Sequence, residues 1–65
     1  MDNNFTKNLK NLRKTLHMGQ SQLADRLGIS VKTVSHWETG YCEPSISQLI
    51  ELAKLFNVSL DYLIL

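Results

Sequence analysis

The sequence predicts an all-α fold, on three observations. Residues 20–40 read as two short helices joined by a glycine-containing turn, the residues before them repeat apolar side chains at helical spacing, and Ser45-Ile46-Ser47-Gln48 after them has the form of a helix-capping box.

Phe5, Leu9, Leu12 and Leu16 recur at helical intervals from about Phe5 to Leu16 and form the inward stripe of a first helix, with Lys7, Lys10 and Lys14 on its other faces. This helix braces the pair that follows. Leu23, Ala24 and Leu27 give the second helix an apolar stripe, with a small residue where another helix can approach closely. Gly28 has no Cβ, so it can take the left-handed conformation that satisfies the last carbonyls of one helix and turns the chain into the next. Ile29 buries at the corner. Ser30 caps a third helix from Val31 to about Thr39, its hydroxyl accepting from an orphan amide, and Gly40 closes that helix. The second and third helices together make a helix-turn-helix. Tyr41 to Pro44 is a loop, since Pro44 disfavours helix at Glu43. In the capping box, Ser45 accepts from the Gln48 amide while the Gln48 side chain reaches back, opening a fourth helix whose Leu49, Leu52, Ala53 and Phe56 face the core. Ser59 caps a last helix from Leu60. Asp61 suits the positive end of that helix, and Leu60 and Leu63 face the core.

There are no internal repeats, low-complexity tracts or linkers, so residues 1–65 are read as one domain. A domain of this size buries only roughly 60% of the surface its unfolded chain exposes. Modest stability is expected. An apolar content of 43% supports a real core, and the lone Cys42 excludes an intrachain disulfide and a zinc framework. No apolar run approaches the ~20 residues of a membrane span, and the N-terminus lacks signal-peptide organisation, so a cytoplasmic bacterial or phage protein is expected.

The formal charge is only +1, but it is unevenly distributed. Residues 1–37 carry Lys7, Lys10, Arg13, Lys14, Arg26 and Lys32 against Asp2 and Asp25, a net of +4; the rest carry Lys54 against Glu38, Glu43, Glu51 and Asp61, a net of −3. A basic half holding the helix-turn-helix, with an acidic half behind it, orients a domain on a phosphate backbone. The weak net charge implies few phosphate contacts per subunit and an affinity that leans on dimerisation.

At about 100° per residue the third helix separates into two faces. Val34, Trp37 and Glu38 point inward, while Lys32, Ser35, His36 and Thr39 cluster outward with Ser30 and Val31 at the N-terminal tip. The outer face is short and mixed in donors and acceptors, which suits base edges in a major groove about 12 Å wide. Trp37, beside Val34, reads as core.

The joint pattern of Arg13, Gln20-x-x-Leu23-Ala24, Leu27-Gly28-Ile29-Ser30, Val34-Ser35-x-Trp37-Glu38-x-Gly40, Pro44, Leu49-x-x-Leu52-Ala53 and Phe56-x-Val58-x-x-Asp61-x-Leu63 resembles the Cro and lambda-repressor-like (XRE) helix-turn-helix family. The resemblance runs from about Leu9 to Leu63. It implies a compact five-helix bundle of the lambda-repressor type that binds operator DNA as a dimer, a repressor of transcription. Carried over by position, it makes Val31, Lys32 and His36 the residues that face base edges, with Ser30 and Ser35 peripheral, and puts Gln20 and Thr39 on phosphate. Val31 departs from the long polar side chain common there; it could pack on a thymine methyl while Lys32 donates to guanine O6 and N7. The family also pairs an arginine of the first helix with a glutamate near the end of the recognition helix, positions held by Arg13 and Glu38. That matters because an inward carboxylate is costly to bury unless paired.

The last helix leaves Tyr62, Ile64 and Leu65 as an apolar edge, and since family members often pair through this region, these three are expected to form a two-fold contact. His17, His36 and Cys42 lie on separate elements without paired ligand spacing, so no metal is expected, and no cofactor or small-molecule ligand. No nucleophile sits in a strained turn and no concave pocket is expected in so small a bundle, which argues against an enzyme. Two other readings stay open: a protein-interaction module such as an antitoxin, and the DNA-binding fragment of a longer effector-sensing repressor.

Overall fold

Each helix starts and stops where its local chemistry dictates. The computed structural model describes residues 3–65, with α1 at Phe5–Thr15, α2 at Gln20–Leu27, α3 at Val31–Thr39, α4 at Ile46–Phe56 and α5 at Leu60–Ile64. Ser30 Oγ accepts from the Thr33 amide at 3.2 Å, and Ser59 Oγ accepts from the Tyr62 amide at 3.0 Å. At α4 the box is reciprocal: Ser45 Oγ accepts from the Gln48 amide at 3.1 Å, and Gln48 Oε1 accepts from the Ser45 amide at 2.7 Å. Gly19 precedes α2 with no side chain to offer, yet its own amide is taken by Gln22 Oε1 at 2.7 Å.

Four helices end in the same way. After each, one residue takes a positive φ: His17 at 55°, Gly28 at 69°, Gly40 at 80° and Asn57 at 57°. The next amide then bonds back across five residues, Met18 to Arg13, Ile29 to Ala24, Tyr41 to His36 and Val58 to Ala53, at 2.9–3.0 Å. This is the Schellman arrangement, which satisfies carbonyls that the helix leaves open. The glycines were expected there. Asn and His are the non-glycine residues that reach this region most readily, and at these two ends they do so.

The turn at His17 corrects one expectation. Leu16, assigned to the inward stripe of the first helix, is 52% exposed. The helix already stops at Thr15, and the chain swings away at His17 before Leu16 can pack. Leu60 is likewise 40% exposed rather than in the core, because a five-residue helix has one turn with which to meet its neighbours and Leu63, fully buried, occupies that contact.

Phe5, Leu9, Leu23, Ala24, Val34, Trp37, Leu52, Phe56 and Leu63 form one buried cluster. Phe5 meets Trp37 edge to face, with ring centroids 6.4 Å apart and planes at 72°. α2 packs on α3, α1 packs against both α3 and α5, and α4 lies on α5. The α5 end is held by α1. The Asn4 amide donates to the Ile64 carbonyl at 3.0 Å, and Asn4 Nδ2 donates to that of Leu65 at 2.8 Å. Asn8 Nδ2 donates to the carbonyls of Tyr62 and Leu63. Two asparagines of the chain's first turns thus cap the last helix. Among the described residues no helix is long and apolar enough to cross a membrane.

Candidate nucleic-acid interface

α3 is anchored from behind by both apolar and ionic contacts. Val34 and Trp37 are buried, and Glu38 beside them is only 4% exposed. Its carboxylate is fully used: Oε2 accepts from Arg13 Nε at 2.6 Å, and Oε1 accepts from Arg13 Nη2 and from Gln20 Nε2, each at 3.0 Å. Arg13 Nη1 also donates to the Met18 carbonyl at 2.8 Å. The carboxylate therefore ties α3 to α1 and to the first residue of α2, and Arg13 carries the link on to the α1–α2 turn. Burial pushes the Glu38 carboxyl up, but the hydrogen bonds from Arg13 and Gln20, aided by the charges of Arg13 and Lys10, outweigh it and hold the group below its ordinary value. Hydrogen bonding to Glu38 raises the Arg13 guanidinium in turn.

The opposite face is open. Ser30, Lys32 and Thr39 are exposed, Val31 is 46% exposed, and Ser35 and His36 are half-buried. All sit on α3 or its cap, so the face moves only as α3 moves. Gln20, expected on phosphate, is half-buried and engaged with Glu38, as are its helix and α3 through it. The family-based reading gave it no inward partner; the signal available was its position at the start of α2, one turn from the buried Leu23. Tyr41, read only as loop, lies with its ring 4.7 Å from that of His36. Cys42 Sγ is 4.0 Å from His36 Nδ1, so these two residues are close although they belong to different elements. Among the described residues no three His, Cys, Asp or Glu side chains come together as a metal-binding group.

The expectation of no concavity needs correction. Leu16, His17, Met18, Gln22, Asp25 and Arg26 line an open depression of about 320 Å³ between the α1–α2 turn and α2. The turn at His17 that expels Leu16 forms its wall. It lies apart from the outer face of α3.

The helix-turn-helix family model matches residues 9–63, which include this whole arrangement. The chain belongs to the helix-turn-helix family. Among relatives in that family, it is 40% identical over 60 residues to the uncharacterized HTH-type transcriptional regulator YqaE of Bacillus subtilis, a match covering 92% of this chain and 52% of the relative. It is 34% identical over 55 residues to the cryptic phage CTXphi transcriptional repressor RstR of Vibrio cholerae, covering 85% of this chain and 49% of the relative. The chain thus spans about half the length of these curated relatives. Among solved structures, a transcriptional regulator from Listeria innocua superposes at a TM-score of 0.92 with 33% identity, over 98% of this chain and 60% of that one. The hydroxypropylphosphonic acid epoxidase from S. wedmorenis also superposes, at 0.85 with 32% identity, but over only 32% of its length. A helix-turn-helix fold of this shape therefore occurs within proteins of different activity, and function must be argued from the site.

Proposed function

We propose that this chain binds duplex DNA sequence-specifically as the reading unit of a transcriptional repressor, with α3 in the major groove. The observation that carries this reading is the contrast across α3: its inner face is fixed to two other helices by a fully bonded carboxylate, while its outer face is free. A reading head needs both properties, because base edges discriminate only when donors and acceptors arrive at fixed positions. Lys32 and His36 supply donors, Val31 an apolar contact for a thymine methyl, and Ser30 and Ser35 hydroxyls at the margin. Thr39 lies at the exposed end of α3 toward the backbone. Gln20 sits where α2 begins, so its amide can approach phosphate only by sharing or leaving Glu38. The repressor role is supported by the name of RstR, and the DNA-regulating role by those of the other relatives.

Two copies are proposed to bind a two-fold site, with α3 helices entering major grooves about 34 Å apart. Tyr62 and Leu65 are 62% and 76% exposed and supply the pairing edge, whereas Ile64 is half-buried against the core and contributes its margin. Selection of bound sequences from a random DNA pool tests the whole reading. The expected result is a palindromic consensus; retention of no sequence over random duplex, even at low salt, would sink it.

A further inference from the structure

The four Schellman ends differ in one respect. In each, the residue after the left-handed position is a large apolar one, and at three ends it packs on the core: Met18 after α1, Ile29 after α2 and Val58 after α4. Tyr41, after α3, does not. It is 77% exposed, and its ring instead lies 4.7 Å from the His36 ring with the planes at 52°. The same turn brings their backbones together, since the His36 carbonyl accepts from the Tyr41 amide at 2.9 Å and from the Cys42 amide at 3.3 Å. Thr39 Oγ1 donates to that carbonyl as well, at 3.2 Å. In this motif the apolar residue commonly meets the side chain three positions inside the helix end, and here that side chain is His36.

We infer that Tyr41 is a positioning residue for His36, holding the imidazole in the orientation in which it meets DNA. A half-buried histidine on an open helix face still has more than one staggered rotamer open to it. A ring tilted against one side of it removes the rotamers that this ring would block, and the backbone bonds hold the two residues' main chains together. The loop after α3 is thereby part of the specificity apparatus, although Tyr41 itself need touch no base. This rests on the base-reading role of His36 proposed above.

The test compares Tyr41→Ala, Tyr41→Phe, His36→Ala and the double variant His36→Ala/Tyr41→Ala in the full chain. Tyr41 is so exposed that its loss leaves the core intact, and thermal unfolding checks this. Without DNA, proton NMR of the His36 ring reads the ring contact directly: its ring-current displacement is expected to vanish in Tyr41→Ala and persist in Tyr41→Phe. An unchanged His36 resonance in Tyr41→Ala overturns the inference without touching the proposed function. On the selected site and its single-base variants, Tyr41→Ala is expected to lose discrimination about tenfold at the base pairs that His36→Ala relaxes, with the double variant no worse than His36→Ala. Tyr41→Phe should keep it. A uniform loss on all sequences would make Tyr41 a phosphate contact and overturn the positioning role. If His36→Ala itself leaves discrimination unchanged, the base-reading assignment of His36 fails, and the specificity role of Tyr41 falls with it.

Discussion

The two faces of α3 share nine residues of helix and little else. On the inner face, Val34, Trp37 and Glu38 have almost no exposure, and each polar atom of Glu38 has a partner. On the outer face, Lys32 and Thr39 are exposed, and Ser35 and His36 are half-buried. Packing dictates the first set, because a void or an unpaired charge there costs folding free energy directly. It leaves the second set free. Substitution on the inner face should therefore decide how much of the chain is folded, and substitution on the outer face which sequences the folded chain prefers.

The sharpest way to break that division is to remove Arg13. Arg13→Ala leaves a buried carboxylate without its main partner, an uncompensated charge that costs about 3–5 kcal/mol. A chain of this length has roughly 3–10 kcal/mol in all. Urea unfolding should show a midpoint shifted far toward water, and a cycle with Glu38→Ala should give a coupling above the roughly 0.2–1 kcal/mol of exposed pairs. A loss within that exposed-pair range would show that the ion pair does not anchor α3. Acid probes the same link. Because Glu38 is held below its ordinary value in the folded chain, its stabilising contribution is complete only well above that ordinary value, where the unfolded carboxylate is fully ionised, and is lost as pH falls from there through the lowered native value. Stability measured down through that window should fall, and Glu38→Gln should flatten that part of the fall.

Gln20 divides the two faces less cleanly. Gln20→Ala removes one of three hydrogen bonds to the Glu38 carboxylate, at a cost of about 1–3 kcal/mol in stability, while Arg13 continues to hold the charge. It is also expected to weaken binding to all sequences alike. Denaturation and binding to random duplex, measured on the same variant, separate the two effects; unchanged stability would show that the inward bond contributes nothing and leave phosphate as its only partner.

The helices and most of the core were legible in the sequence because each rests on local chemistry: Ser30, Ser45 and Ser59 cap helices, Gly28 and Gly40 end them, and the apolar stripes repeat at helical spacing. Two apolar residues depart from the pattern, Leu60 because α5 is too short to bury it and Leu16 because a non-glycine residue takes a left-handed turn beside it. His17 is only a weak cue for that conformation beside a glycine, and the apolar spacing carries the first helix on to Leu16, which the turn leaves exposed. Long-range polar contacts were equally hidden. Nothing near Asn4 or Asn8 in sequence shows that their amides meet carbonyls of α5, more than fifty residues away. At the candidate interface, the outer residues follow from a helical wheel, but the contact of the Tyr41 ring with His36 needs the geometry of the turn.

The outer face is tested by Lys32→Ala. Lys32 is exposed, so stability should stay within about ±0.5 kcal/mol of the parent chain. Discrimination should relax at particular base pairs by about 1–3 kcal/mol, read by competition between the selected site and its single-base variants. Equal losses on selected and random duplexes would assign Lys32 to phosphate.

The smallest effect is expected at the pairing edge, on a third surface that the α3 contrast does not reach. Truncation after Asp61 cannot test it, since that also removes Leu63, fully buried, and the carbonyls that Asn4 and Asn8 hold. Tyr62→Ala and Leu65→Ala are cleaner, because both side chains are largely exposed and their loss leaves the core complete. Most interface side chains contribute about 1 kcal/mol or less, so each change should weaken binding to a paired site by roughly fivefold or less. Binding to a single half-site should not change. Comparing the two duplexes isolates pairing from reading: equal affinity of parent and variants for the paired site would remove Tyr62 and Leu65 from the two-fold contact, and equal weakening on both duplexes would show that these residues support α5 rather than a partner.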